Sequence, residues 1–124
     1  VRDVSPHERT QALDAAEQLD AQGVSAEVID LRVLNPFHVV NLVESVSKTG
    51  RLLAVDGSWS PCGMAGEVIA SVVERVAPGA IKVAPARLTL PFAPAPTASV
   101  LESAYYPTAA TIVSMAGKLV NKSC

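Results

Sequence analysis

The sequence predicts an α/β fold, with parallel strands joined by helices that cover the sheet on both faces. Two observations carry this expectation. The stretch from Ala26 to Asp56 reads as strand, tight link, helix, glycine stop and strand: Ala26-Glu-Val-Ile-Asp-Leu-Arg32, then Leu34-Asn-Pro-Phe37, then Lys48-Thr-Gly-Arg-Leu-Leu-Ala-Val-Asp56. That is one βαβ crossover, a unit of about 30 residues. The second observation is composition, 49% hydrophobic with only 4% aromatic. The core must be built from Val, Leu, Ile and Ala, which suits strands buried on both faces. At 124 residues, with no internal repeat, low-complexity block or linker, the chain is read as one compact domain.

Each element follows from local signals. The first helix is expected to start between Pro6 and Thr10 and run to Gln22, with Ala12, Leu13, Ala16 and Leu19 on its apolar face and Gly23 as its stop. Ser25 to Arg32 reads as a strand with Val28, Ile29 and Leu31 as its apolar set. Asn35 suits an N-cap and Pro36 a first helical residue, where the missing N–H would be unpaired anyway. The second helix then turns Phe37, Val40, Val43 and Val46 inward, with Lys48 near its negative end and Gly50 as its breaker. Arg51 to Asp56 is a continuous apolar strand. The loop Gly57-Ser-Trp-Ser-Pro-Cys-Gly63 opens a third helix from Met64 to Val76, ended by Pro78-Gly79. Ile81 to Val83 and Ala86 to Leu90 offer a short strand interrupted by Pro85, which fits a sheet edge. After the extended stretch Pro91 to Pro96, the last helix is expected from Pro107 to Val120 through Ile112, Val113, Ala116 and Leu119.

Charge and composition exclude several classes of function. A net charge of −2 with no basic stripe leaves nothing to neutralise phosphates, so a nucleic-acid partner is not expected. No apolar run approaches the ~20 residues of a membrane span, and the first residues lack a signal-peptide core, so no membrane is expected either. Cys62 and Cys124 lie far apart without metal-type spacing and read as thiols of a reducing compartment.

The residues that could carry chemistry are scattered. His7 stands in a polar segment and His38 begins a helix with no carboxylate near it in sequence; both read as surface or interface residues. Asp30 and Asp56 sit at or near the carboxyl ends of predicted parallel strands, where α/β sheets place ligands; capping or pairing with an arginine such as Arg32 is the plainer role. Ser58, Ser60 and Cys62 do not form a nucleophile elbow, and no histidine follows to complete a Ser, Asp, His order. Cys62 at a helix start could be activated by the helix dipole, but a small buried cysteine is the commoner case. Gly57, Gly63 and Gly66 fit neither the dinucleotide fingerprint nor the P-loop. No catalytic, cofactor-binding or metal residue is therefore assigned. Trp59, flanked by Pro61 and Met64, is either a plug over the core or an anchor at a protein interface. The segment Pro91-Phe-Ala-Pro-Ala-Pro96 with Tyr105-Tyr106-Pro107 raises the same pair of readings. Because the third helix carries apolar residues on more than one face, Trp59, Met64, Val68 and Val72 are expected to face another subunit.

Five segments in order resemble the C-terminal domain of transketolase-like thiamine enzymes. They are Ala12-Leu-Asp-Ala-Ala-Glu-Gln-Leu19, Ala26-Glu-Val-Ile-Asp-Leu-Arg32, Lys48-Thr-Gly-Arg51, Gly63-Met-Ala-Gly-Glu-Val-Ile-Ala70, and Pro94-Ala-Pro96 with Tyr106-Pro107. Within that family the chain most resembles the β subunit of the decarboxylating component of the pyruvate or branched-chain 2-oxo acid dehydrogenase complexes. The resemblance implies a three-layer α/β/α sandwich on a mostly parallel sheet, residues 1–124 being one such domain from a larger chain. The family usually places an apolar strand ahead of the first helix, where this sequence has Asp3-Val-Ser-Pro-His-Glu-Arg9, so truncation at the N-terminal strand is expected. Thiamine diphosphate and magnesium are held elsewhere in such enzymes, and the magnesium motif has no counterpart here, so the isolated domain is expected to be inactive. The implied partners are the other domains and subunits, through β–β and α–β contacts, and the acyltransferase component. The implied location is the cytoplasm, or the mitochondrial matrix in a eukaryote. The alternatives are a transketolase or synthase relative, and an autonomous small-molecule-binding α/β domain using Asp30, Asp56 and the 57–63 loop.

Overall fold

The computed structural model describes residues 6–121. In chain order they form α1 (Pro6–Ala21), α2 (Val40–Thr49), β1 (Leu53–Trp59), α3 (Met64–Val73), β2 (Ala86–Leu90), α4 (Ser99–Tyr105) and α5 (Ala109–Asn121). β1 and β2 pair in parallel, from Leu53 opposite Ala86 to Asp56 opposite Thr89, with an irregularity before Trp59 meets Leu90.

Successive side chains of a strand point to opposite faces, and the residues around β1 divide accordingly. Leu53 and Val55 pack with Ala12 and Ala15 of α1 and with Ile112 and Leu119 of α5. Leu52, just ahead of the strand, and Ala54 pack with Leu42 and Val46 of α2 and with Ala65, Val68 and Val72 of α3. Helices therefore cover both faces of a parallel sheet, in the three layers the sequence predicts. Complete burial of an aliphatic side chain such as Val55 or Val72 contributes about 1.5–3 kcal/mol, so these two small cores are the main source of stability.

The helix ends follow their capping chemistry. Gly23, at φ 79°, closes α1: its N–H reaches the Asp20 carbonyl while the Val24 N–H reaches that of Leu19, each at 2.9 Å. This is the paired arrangement in which a left-handed residue satisfies the last carbonyls of a helix. Gly50, at φ 69°, ends α2 in the same conformation and donates to the Val46 carbonyl at 2.7 Å. α5 begins two residues later than predicted because Thr108 and Thr111 cap each other. The Thr108 N–H donates to Thr111 Oγ1 at 2.9 Å, and the Thr111 N–H to Thr108 Oγ1 at 3.3 Å. Gln11 of α1 adds a cap from the neighbouring helix, its Oε1 accepting the Ala109 N–H at 2.7 Å.

Several expectations are corrected. Ser25 to Arg32 is not a strand: among the described residues the stretch 25–31 makes no backbone–backbone hydrogen bond, and a strand needs a neighbour. The second helix starts at Val40 rather than Pro36, because residues 34–37 form a turn that brings Phe37 to the core. The inward pair is consequently Leu42 and Val46, one helical turn apart, and Val40 faces solvent. In α1 the buried face is Ala12, Ala15 and Leu19, which turns Leu13 outward. α3 stops at Val73, short of Val76. Ile81 to Val83 is a bend held by the Lys82 N–H on the Gly50 carbonyl at 2.9 Å, so only Ala86–Leu90 is strand. β2 pairs with β1 alone among the described residues, which is the edge position expected for it. α4 was not anticipated. The N-terminal strand position at Val1 to Ser5, and Cys124, lie outside the described residues.

Between residues 23–29 and 51–53 runs an open cleft of about 380 Å³. α1 and α5 wall it on one side and α2 on the other, with Ala12, Ala16, Leu19, Leu42, Val46 and Ala116 among its lining.

Candidate functional site

In an α/β sheet, ligands bind outside the carboxyl ends of the strands, which here means the end of β1 and the turn that leads into α3. Asp56 is the last of the buried run and is only 1% exposed. Its Oδ2 accepts the Ala65 N–H at 2.8 Å and its Oδ1 accepts the Ser58 N–H at 3.2 Å. Gly63, the N-cap residue of α3, has no side chain to cap with, so Asp56 supplies from the strand the acceptor that a helix start requires. A negative group is also favourable at that end of the helix dipole.

The turn between them is tight. A Cβ on Gly63 would overlap the Trp59 carbonyl and lie 2.7 Å from Ser58 Oγ and 3.1 Å from Asp56 Oδ2. Ser58 Oγ is itself buried, without a hydrogen-bond partner among the described residues. Cys62, immediately before Gly63, is exposed and takes a left-handed φ of 61°. Glu8 approaches from α1: although charged, it is 5% exposed and its carboxylate presses against Gly57, where a Cβ would overlap Oε1. The sequence reading missed Glu8. A carboxylate in the first turn of a helix is ordinarily a solvated dipole partner, and its burial comes from a contact 49 positions along the chain.

An aromatic group completes the rim. Trp59 Nε1–H donates to Tyr105 Oη at 3.1 Å, and Tyr105 Oη donates to the Ala93 carbonyl at 2.7 Å. Phe92 meets the indole edge-on at a centroid distance of 5.4 Å, and Tyr106 meets Tyr105 similarly at 5.2 Å. These contacts fasten the proline segment and α4 to the end of β1, while the indole stays 44% exposed.

The other candidates separate. Asp30 pairs with Arg32 at 2.8 Å and lies 3.9 Å from Arg9, the arginine pairing foreseen as its plainer role. His7 and His38 are exposed. Val68 and Val72, at 1% and 0% exposure, belong to the core under the sheet. They have no surface to give a partner, and this corrects their expected place at a subunit interface: the outer side of α3 carries Val73 instead. Trp59 remains exposed and Met64 half-buried.

The donor set does not suit thiamine diphosphate or magnesium. Magnesium asks for an octahedron of oxygens, but both Asp56 oxygens accept backbone N–H groups. Among the described residues no three His, Cys, Asp or Glu side chains converge. The turn into α3 has its leading N–H capped by a carboxylate rather than offered to a phosphate. At the turn into α3, the carboxylate and the Ala65 N–H are thus already engaged with each other.

Comparison with known proteins agrees with the resemblance read from the sequence. A family model described as transketolase, C-terminal domain, matches residues 7–112. The β subunit of acetoin:2,6-dichlorophenolindophenol oxidoreductase from Cupriavidus necator is 39% identical over 108 residues, which are 87% of this chain and 32% of that protein. The mitochondrial pyruvate dehydrogenase E1 component subunit β of Caenorhabditis elegans is 39% identical over 110 residues, 89% of this chain and 31% of that protein. The pyruvate dehydrogenase E1 component subunit β of Bacillus subtilis is 38% identical over 65 residues, 52% of this chain and 20% of that protein. The chain spans about a third of the length of the first two of these curated relatives.

Proposed function

The chain belongs to the transketolase C-terminal domain family, and on that premise we propose that it is the C-terminal assembly domain of the β subunit of a thiamine-diphosphate-dependent 2-oxo acid dehydrogenase. The observation that carries this reading is the identity of 39%, across almost nine-tenths of the chain, with a pyruvate dehydrogenase E1 component subunit β, matched by the same identity to the β subunit of an acetoin oxidoreductase. The domain supports oxidative decarboxylation carried out by other domains of a longer chain and by partner subunits. It acts in the cytoplasm, or in the mitochondrial matrix if the source is a eukaryote; several of its relatives are mitochondrial. The cofactor, when bound to the parent enzyme, supplies the carbanion chemistry of decarboxylation. The residues described here position a surface. Asp56 fixes the start of α3, Glu8 fixes α1 against Gly57, and the Trp59–Tyr105–Ala93 relay holds the proline segment so that Trp59, Met64 and Phe92 form an apolar rim for a neighbouring subunit. The autonomous ligand-binding alternative loses its two principal residues, since Asp30 is paired with arginine and Asp56 with backbone N–H groups.

Two measurements test the proposal. The coding sequence ahead of Val1 should specify a thiamine-pyrimidine-binding domain; an unrelated domain there overturns the reading. Calorimetric titration of this chain with thiamine diphosphate and magnesium should give no stoichiometric heat. A saturable micromolar signal would show that the domain carries a cofactor site of its own.

A further inference from the structure

The amino-terminal end of β1 gathers cations from three separate parts of the sequence. Arg51, just ahead of the strand, donates from Nε to the Leu119 carbonyl at 3.1 Å and from Nη1 to the Thr49 carbonyl at 3.2 Å. One guanidinium thereby joins the carboxyl ends of α5 and α2. Lys118 and Lys48 occupy the last turns of those two helices. Lys82 arrives from the bend after α3, its N–H donating to the Gly50 carbonyl at 2.9 Å. Its stem lies over Gly50, where a Cβ would come 2.6 and 2.7 Å from Lys82 Cγ and Cδ. We propose that this cluster is a docking site for an acidic segment of a partner protein, at the opposite end of β1 from the Trp59 rim.

Helix dipoles alone do not account for the cluster. Basic residues near the carboxyl end of a helix ordinarily complement its dipole. Here Arg51 already does so by direct hydrogen bonds to carbonyls of both helices, and Lys82 belongs to no helix. Lys48, Lys82 and Lys118 are exposed, and none stands in an ion pair among the described residues. Of the carboxylates beside α2, Glu27 accepts the Ser45 hydroxyl at 2.7 Å, and Glu44, one turn before Lys48, makes no ion pair among the described residues. Three ammonium groups without a paired carboxylate thus gather around one guanidinium, in a chain whose net charge is −2. Their mutual repulsion works against the compact state, and an anionic partner relieves it. No stripe announces this in the sequence, because positions 48, 82 and 118 meet only in the fold.

The surroundings define the anion. A compact phosphate is held by converging N–H donors, as at the start of a helix. This end of the molecule has the opposite polarity: α2 and α5 finish here and present carbonyl oxygens, which repel an anion packed against the backbone. Lysine ammonium groups act instead as point charges on long stems, spread over three positions. That arrangement suits carboxylates carried on several side chains of a partner. Lys82 is the anchor, because its stem is already held on Gly50 and has less rotamer freedom to lose on pairing.

The test titrates the isotope-labelled chain with the blocked peptide Glu-Leu-Glu-Asp-Leu-Glu and follows the backbone amide resonances. Saturable shifts should cluster at residues 48–51, 80–83 and 117–120, and should shrink as salt screens the contact. Lys82→Met keeps the stem and removes the charge. It should weaken binding about two- to fivefold, the range of one exposed ion pair, and Lys82→Glu should weaken it further. Thermal unfolding of Lys82→Met should match or exceed the wild type, a result that a structural lysine would not give. Absence of saturable shifts, shifts centred elsewhere, or unchanged affinity in Lys82→Glu overturns the proposal. So does equal binding of the uncharged peptide Gln-Leu-Gln-Asn-Leu-Gln. Tighter binding of pyrophosphate or of a short DNA duplex would assign the cluster to phosphate and overturn it. Self-association in sedimentation that Lys82→Met abolishes would assign it to a second copy and overturn it equally. None of these outcomes bears on the cofactor titration or on the sequence ahead of Val1, so this inference and the assembly reading fail separately.

Discussion

Replacement of Asp56 by alanine separates a structural carboxylate from a ligand-binding one. In the wild-type chain the two carboxylate oxygens accept the Ala65 and Ser58 N–H groups at 2.8 and 3.2 Å, in a site only 1% exposed. Alanine removes both acceptors and leaves two N–H groups where water has little access. Each buried group left unsatisfied costs about 1–3 kcal/mol, and a lost helix cap alone costs about 0.5–2 kcal/mol. The expected loss is therefore about 2–5 kcal/mol, a large share of the stability of a domain this size. Asp56→Asn keeps the shape and one acceptor oxygen but turns an amide donor towards the second N–H, so it should fall between wild type and alanine. Urea unfolding followed by far-ultraviolet circular dichroism measures both. The midpoint should drop in the order wild type, asparagine, alanine with an unchanged slope, since the surface exposed on unfolding is the same. An alanine variant with the wild-type midpoint would refute the capping argument and return Asp56 to the list of ligand candidates.

Val72→Glu should abolish the folded state rather than dissociate a complex, because it places an unpaired charge at a position with no exposure; a folded variant with altered association in sedimentation would contradict the core assignment. Gly63→Ala should destabilise by about 1–3 kcal/mol, since the added Cβ meets the Trp59 carbonyl and Ser58 Oγ and must displace backbone; thermal unfolding measures it. Tyr105→Phe removes the acceptor for Trp59 and the donor to Ala93. It should cost about 1–3 kcal/mol for two hydrogen bonds and alter the environment of the chain's single tryptophan, which its fluorescence reports directly.

Much of this architecture was legible because its signals are local. Pro6, Gly23, Gly50 and Pro107 punctuate the helices close to where the structure begins and ends them, and the run Leu52 to Asp56 announces a buried strand. What the sequence misplaced depends on partners distant along the chain. Ser25 to Arg32 has the composition of a strand, yet strand pairing needs an adjacent backbone that the segment itself does not contain. Val68 and Val72 look like surplus apolar surface on a helix wheel, and only the packing of α2 and Leu52 against them shows where that surface goes. α4 spans seven residues, Ser99–Tyr105, too few to show a helical period next to three prolines. Glu8 is invisible for a similar reason, because nothing near it in sequence records the approach of Gly57.

The division of side chains around β1 has a consequence for how the molecule comes apart. Leu53 and Val55 belong to one hydrophobic cluster while Leu52 and Ala54 belong to the other, so a single stretch of backbone is the shared wall of both. Neither helical layer can peel away without exposing the strand that the opposite layer rests on. Melting of α1 with α5 and melting of α2 with α3 are thus one event rather than two, and the β1 amides bonded to β2 should exchange only through global opening. The protein has two cores but one folding unit, and β1 is the seam that joins them.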